Sequence, residues 1–150
     1  MDEDEKFMAI ALEEAEAAYI ENEVPVGAVI VHEGSVLSQA HNSPLSTGDP
    51  TAHAEILAIR ESAAKIGNYR LNGATLYATL EPCIMCVGAM VQARIARVVY
   101  GASDPKGGAL KSLYTVFDDG KLNHAAVVRG GVLEKDCSEI LSRFFRKKRV

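Results

Sequence analysis

Four side chains in the middle of the sequence have the types that bind a metal ion and move protons. His53 and Glu55 are separated by a single residue, and Cys83 and Cys86 follow as a Cys-x-x-Cys pair. Imidazole and thiolate are ligands that Zn²⁺ accepts readily, and a carboxylate beside such an ion can take up a proton. The total of three cysteines is odd, which fits a metal or redox site better than a set of disulfides.

The cysteine spacing by itself allows two interpretations, because a thioredoxin-like redox pair also has the form Cys-x-x-Cys at the start of a helix. The histidine favours the metal. His-x-Glu followed by Pro-Cys-x-x-Cys, here His53 to Glu55 and Pro82 to Cys86, is the signature of zinc-dependent deaminases. Three protein ligands (His53, Cys83 and Cys86) leave one position of a tetrahedral ion open to water, as in catalytic sites. Glu55 is the predicted base for that water.

The elements that must position these residues alternate along the chain. Hydrophobic periodicity predicts helices over about 4–22, 49–66, 82–95, 111–116 and 134–149, and strands over about 26–32, 35–41, 74–80, 97–103 and 125–130. An initial hairpin followed by strands and helices in alternation predicts an α/β fold of three layers, with a central mixed five-stranded sheet flanked by helices. His53 and Glu55 are two positions apart, so they converge on one ion only if His53 lies in the irregular turn that opens its helix.

Composition limits the class of protein. The chain has 150 residues, of which 48% are hydrophobic and 24% are charged, so we expect one globular domain over 1–150. No apolar run is long enough to span a membrane, and the acidic start MDEDEK does not resemble a signal peptide, so we expect a cytoplasmic protein without membrane contact. The acids of this start are expected to complement the dipole of the first helix.

The sequence resembles the bacterial tRNA-specific adenosine deaminase family, of cytidine-deaminase-like fold, over nearly its whole length. The stretches that carry the resemblance are EVPVGAV, HNSP, DPTAHAEI, NYRL, LYATLEPC, RVVYGASDPKGGA and ILSRFF. The resemblance implies a homodimer with one zinc ion per subunit, held by His53, Cys83 and Cys86. It also implies hydrolytic deamination of adenosine to inosine at the wobble position of the tRNA anticodon, with Glu55 as the proton shuttle. Asn42 would hydrogen-bond the flipped base, and the loop around Asp104 would lie beside the substrate.

The end of the chain bears on the choice of substrate, since the zinc signature is shared with enzymes that act on free cytosine, guanine or nucleosides. Residues 143–150, RFFRKKRV, combine five cations with two aromatic side chains, which suits unpaired RNA better than a free base. Phe144 and Phe145 cannot share one face of a helix. We therefore expect Phe144 to belong to the core and Phe145 to contact the anticodon stem-loop of tRNA.

A second class of function is a zinc-stabilised RNA-binding subunit without turnover. The metal of such a protein would need a fourth ligand. The residues that have a suitable side chain are Cys137, His41, His124 and His32. Glu55 argues against this interpretation, because a silent site has no use for a general base.

Overall fold

The computed structural model describes residues 1–148, so Arg149 and Val150, the end of the predicted basic tail, lie outside the described residues. Its elements in chain order are α1 (Glu3–Ile20), β1 (Gly27–His32), β2 (Ser35–His41), α2 (Pro44–Thr47), α3 (Ala54–Ile66), β3 (Thr75–Leu80), α4 (Ile84–Ala93), β4 (Arg97–Ala102), β5 (Val127–Arg129) and α5 (Glu134–Lys148). None of these helices is both long enough and apolar enough to cross a membrane.

The five strands form one mixed sheet in the order β2-β1-β3-β4-β5. The hairpin β1–β2 and the pair β1–β3 are antiparallel, whereas β3–β4 and β4–β5 are parallel. The parallel pairs need crossover connections, and α4 supplies the one between β3 and β4. The predicted mixed sheet is therefore confirmed.

Helices cover both faces of this sheet. On one face, Ile30, Leu76 and Val98 pack into a core that includes the buried side chains of α3 and α4. On the other face, Tyr77 and Val99 pack against α1 and α5 through another set of buried residues. Burial on both faces explains why β3 and β4 read as apolar runs rather than as alternating patterns, and it confirms the predicted three layers.

The acidic start of the chain does more than complement a helix dipole. Asp2 and Glu5 form a capping box at the N-terminus of α1. Asp4, by contrast, is buried, and its carboxylate accepts hydrogen bonds from Tyr77 Oη at 2.7 Å and from Arg97 at 2.8 and 2.7 Å. Arg129 donates to the same carboxylate. One acid therefore ties α1 to three strands of the sheet.

Two short segments differ from the prediction. The helix predicted over 111–116 is wrong, because the structure has turns there and no helix or strand between β4 and β5. The backbone N–H groups of 110–112 point to a carboxylate instead of to carbonyl groups one turn back. The four-residue helix α2 was not predicted. Its N–H groups at Leu45 and Ser46 donate to the buried carboxylate of Glu23 at 3.1 and 2.7 Å.

Candidate active site

His53 lies at the N-cap of α3, with extended backbone angles φ −76° and ψ 149°. The turn before it is fixed by Asp49, whose carboxylate accepts the N–H of Thr51 at 2.8 Å. The first helical N–H, that of Ala54, donates to the side-chain oxygen of Asn42 at 2.8 Å. His53 is thus outside the helix while Glu55 is in its first turn, which confirms the predicted irregular opening.

Cys83 occupies the equivalent position in α4. It is the N-cap residue, again extended, with φ −79° and ψ 173°, and its carbonyl accepts the N–H of Val87 at 2.9 Å. Cys86 lies three residues further along, in the first turn, and its side chain is buried. Both thiols therefore face the same side at the N-terminal end of the helix.

The two helix starts bring the three donor atoms together. His53 Nδ1 is 3.6 Å from Cys83 Sγ and 3.5 Å from Cys86 Sγ, and all three atoms lie within 4.8 Å of one another. A tetrahedral zinc ion with ordinary Zn–N and Zn–S bonds places its nitrogen and sulfur ligands about 3.6 Å apart. The donor types and their spacing therefore both fit zinc, and a thioredoxin-like pair would not need the imidazole.

No fourth protein ligand joins this group among residues 1–148. Of the alternatives, His41 contacts Glu14 and Glu21 through its two ring nitrogens at 2.7 and 3.0 Å. His124 donates to the carbonyl of Ile95, and the Cys137 sulfur packs against the backbone at Gly101. The arrangement therefore matches an open site with three ligands rather than a closed structural one.

The electrostatics of the cluster favour the forms that bind metal. The pKa of Cys83 is lowered to about 3, chiefly because the Cys86 thiol donates to the Cys83 thiolate, and His53 adds to this effect against burial. The same contact, together with burial, raises the pKa of Cys86. A divalent cation among the three atoms would favour both thiolates, so the pair is arranged to share a positive charge.

Glu55 lies beside the cluster and is only 4% exposed. Burial raises its pKa to about 7, an effect that its own backbone N–H and the nearby His53 oppose. A metal ion would oppose burial further, as any nearby cation does. A carboxylate kept from bulk water beside the donor atoms of a metal site is suited to proton transfer.

Asn42, Asp104 and Phe145, the other three predicted site residues, lie around two cavities that both include Val24 in their walls. Asp104 and Phe145 line a cavity of about 580 Å³ together with Lys106. Asn42 lines a smaller one of about 270 Å³, which also includes Lys148. None of the three ligand residues lines either cavity, so these side chains lie on cavity walls that the cluster does not share.

Phe144 and Phe145 point to different environments, as predicted from their adjacent positions on one helix. Phe144 is 4% exposed and packs edge-on against Tyr19, with ring centroids 5.9 Å apart. Phe145 is 44% exposed and faces the larger cavity. Of this pair, Phe145 therefore offers the free aromatic surface.

Two buried carboxylates near the site were missed by sequence reasoning. Glu23 holds α2 just after Asn42, and Glu81 directly precedes Pro82 and Cys83. Burial acts to raise the pKa of each, but hydrogen bonds outweigh it and lower both values. At Glu23 these come chiefly from backbone N–H groups, and at Glu81 from the Ser112 hydroxyl group followed by backbone N–H groups. The available signal was an acidic residue next to apolar strand residues, a place where charge is seldom found without partners.

The order of the strands and the donor set at two helix starts together define the class of protein, a zinc-dependent deaminase of cytidine-deaminase-like fold. Comparison agrees, since residues 1–102 match the cytidine and deoxycytidylate deaminase zinc-binding region. The tRNA-specific adenosine deaminase of Haemophilus influenzae is 51% identical over 147 residues, covering 97% of this chain and 85% of that protein. The enzyme of the same name from Bacillus subtilis is 47% identical over 149 residues, with 99% and 92% covered.

A solved structure from work on A-to-I editing by tRNA:A34 deaminases at the wobble position of transfer RNA superposes with a TM-score of 0.88. That chain is 47% identical, and the alignment covers 91% of this chain and 99% of the other. The protein belongs to the tRNA-specific adenosine deaminase family. The resemblance noted in the sequence is thereby confirmed.

Proposed function

We propose that this chain, as a single domain, is a zinc-dependent enzyme that deaminates adenosine to inosine at the wobble position of tRNA. The observation that carries the proposal is the cluster itself. One imidazole nitrogen lies 3.6 and 3.5 Å from two sulfurs, with a buried carboxylate alongside and no fourth protein ligand among residues 1–148. The names of the relatives supply the substrate.

His53, Cys83 and Cys86 hold one zinc ion per subunit in this proposal. When bound, the ion supplies the Lewis acidity that allows a water molecule to lose a proton near neutral pH. Glu55 accepts that proton as the water oxygen adds to C6 of adenine. Glu55 passes this proton to ring N1, then takes the remaining proton from the hydroxyl group now on C6 and gives it to the amine. Ammonia leaves as the bond from C6 to the exocyclic nitrogen breaks and the C6 carbonyl forms. The products are inosine and ammonia.

Asn42 contributes to binding of the base. Its side-chain oxygen is already used by the N–H of Ala54, which leaves the amide NH₂ group to donate to the substrate. Asp104 and Phe145 line the neighbouring cavity and contact the nucleotides on either side of the flipped one. Unstacking costs least for a base that is already unpaired, so an anticodon loop suits this site better than a duplex does.

A homodimer in the cytoplasm completes the proposal. On α4, the side chain of Ile84 is exposed, and Gly88, one turn further on, has open space around it, so a second subunit can approach this face closely. Burial within one domain would equally explain the apolar residues of α4 that face the sheet. The three free cysteines suit a reducing compartment. Sedimentation of the active protein tests the assembly, and a fully active monomer would contradict it.

The direct test compares substrates. Purified protein of measured zinc content is offered free adenosine, free cytidine, free guanine and a tRNA with adenosine at the wobble position, and released ammonia and inosine are followed. The matched control is the same tRNA with guanosine at that position. Only the adenosine tRNA is expected to react. Comparable turnover of a free base or nucleoside would instead support a deaminase of small substrates, and zinc-loaded protein that binds the tRNA without turnover would support a non-catalytic subunit.

A further inference from the structure

The carboxylate of Glu81 accepts hydrogen bonds from one irregular segment at several points along its length. Glu81 is 2% exposed and directly follows β3. Its Oε2 atom accepts the backbone N–H groups of residues 110, 111 and 112 at 3.1, 2.8 and 3.0 Å. Its Oε1 atom accepts the N–H of Asp104 at 3.1 Å and the hydroxyl of Ser112 at 2.5 Å. This carboxylate does for the segment what carbonyl groups do for a helix.

The segment also passes directly over the carboxylate. A Cβ atom on Gly108 would lie 2.3 Å from Cδ of Glu81 and 2.4 to 2.5 Å from its oxygens, so any side chain at that point would displace the Glu81 carboxylate. The main chain of Glu81 is fixed in turn, because its N–H donates to the carbonyl of Ala102 at the end of β4. One side chain therefore anchors the segment to the C-terminal ends of β3 and β4.

We propose that Glu81 is a positioning residue for RNA binding: by holding the N–H of Asp104, it sets the position of residues 104–106 in the wall of the cavity that Phe145 also lines. The inference rests on the function proposed above. Asp104, Pro105 and Lys106 line the same cavity as Phe145, whereas Glu81 is not among its lining residues. Glu81 thus acts on RNA only through the residues it places.

The substitution Glu81→Gln tests this placement selectively. The amide NH₂ group of glutamine can face Ser112, because a hydroxyl group can accept as well as donate, and the amide oxygen then keeps the three N–H groups of 110–112. The N–H of Asp104 is the donor left without an acceptor. Amide hydrogen exchange is therefore expected to show lost protection at Asp104 with protection kept at 110–112. Equal protection in both proteins would overturn the proposal.

Kinetics on an anticodon stem-loop supply the functional readout. We expect Glu81→Gln to raise KM about tenfold with kcat within about threefold of wild type, since a misplaced wall weakens binding and leaves the proton-transfer groups in place. The zinc content is expected to stay unchanged. An unchanged KM, or loss of zinc with loss of kcat, would overturn the proposal.

Two further variants separate placement from stability. Asp4→Asn removes another buried carboxylate, at the edge of the sheet away from the cluster, and is expected to lower stability while leaving KM unchanged. In Gly108→Ala the added methyl group displaces the Glu81 carboxylate from the segment. This variant is therefore expected to raise KM, and it tests the inference even if Glu81→Gln does not fold. If Asp4→Asn loses as much stability as Glu81→Gln and its KM also rises, the inference is overturned. If wild-type protein deaminates no tRNA, the proposed function fails, and Kd values for the stem-loop then decide this inference in place of KM.

Discussion

The side-chain oxygen of Asn42 accepts the N–H of Ala54 at 2.8 Å, so the residue that follows β2 also holds the first turn of α3, next to His53. The oxygen of this amide fixes the start of the helix next to His53. Among residues 1–148 its NH₂ group has no hydrogen-bond acceptor, so it is available for the contact with the base that we propose.

Substitutions at Asn42 separate these tasks. Asn42→Asp keeps an acceptor for Ala54 and should leave the melting temperature unchanged, yet it replaces the donor to the base and should lower kcat/KM by about 10- to 100-fold. Asn42→Ala should show the same kinetic loss and also cost about 1 kcal/mol of stability, as caps usually do. Full activity of the aspartate variant would show that the NH₂ group does not bind substrate.

Glu55→Gln is expected to keep its zinc and its fold while kcat falls by about 10²- to 10⁴-fold, because the amide cannot accept the proton of the water. Zinc analysis and ammonia release measure the two effects on one sample. Glu61→Gln in the same helix, where Glu61 is exposed and pairs with Lys65 at 3.1 Å, is the matched control and should behave as wild type. A wild-type rate in Glu55→Gln would remove Glu55 from the mechanism.

Adjacent phenylalanines should give opposite results. Phe145→Ala should weaken binding of the stem-loop by about 1 to 3 kcal/mol, the contribution of one stacked base, with little change in stability. Phe144→Ala should cost about 3 kcal/mol of unfolding free energy, because its ring is buried. Fluorescence titration and urea unfolding of both variants check the pair. The assignment is wrong if Phe145→Ala binds as tightly as wild type.

The basic end of α5 should contribute unequally to RNA binding. Arg143 donates to Glu16 at 3.1 Å and lies over the ring of Tyr19, so it is already engaged within the protein. Lys148 lines the cavity that contains Asn42, whereas Arg146 faces a different part of the surface. Lys148→Ala should therefore reduce the slope of log K against log salt by about 0.7, the value for one single-strand phosphate contact. Arg146→Ala should leave the slope unchanged, and equal slopes for wild type and Lys148→Ala would contradict the assignment.

The buried Asp4 should make stability depend on pH in the acid range. Hydrogen bonds from Arg97, Tyr77 and Arg129 lower its pKa well below the ordinary value of 3.8, against the effect of burial. A group whose folded-state pKa is lowered stabilises the protein above its unfolded pKa and ceases to do so as the pH falls through the folded value. At pH 7 the free energy of unfolding of Asp4→Asn, measured in urea, should be about 3 kcal/mol lower than that of wild type, because a buried ion pair loses one partner.

The difference between wild type and Asp4→Asn should narrow below about pH 4, as protonation of Asp4 removes the same charge. Acid also releases zinc and so lowers the stability of both proteins. Because this loss is common to both, it cancels in the difference between them at each pH. A difference that stays constant down to pH 2 would show that Asp4 stabilises by packing rather than by charge.

Sequence reasoning reached the cluster because its determinants are local. His53 with Glu55 and Cys83 with Cys86 are each set by one helix start, and the hairpin β1–β2 and the sheet follow from short apolar runs. The segment after β4 could not be predicted in this way. Its N–H groups at 110–112 donate to Glu81, which is distant in sequence. Hydrophobic periodicity reports only on neighbouring residues, so it could not predict this contact. The same holds for α2, which depends on Glu23.

Each of the two helices that bring the cluster together begins on a ligand, His53 for α3 and Cys83 for α4. A gain or loss of residues beyond Cys86, or near the far end of α3, therefore leaves the donor atoms where they are. We therefore expect that related chains can differ in the length of these helices while the geometry of the donor atoms stays the same. The few residues that precede each N-cap have no such freedom, because a shift of one position there would turn a donor away from its companions.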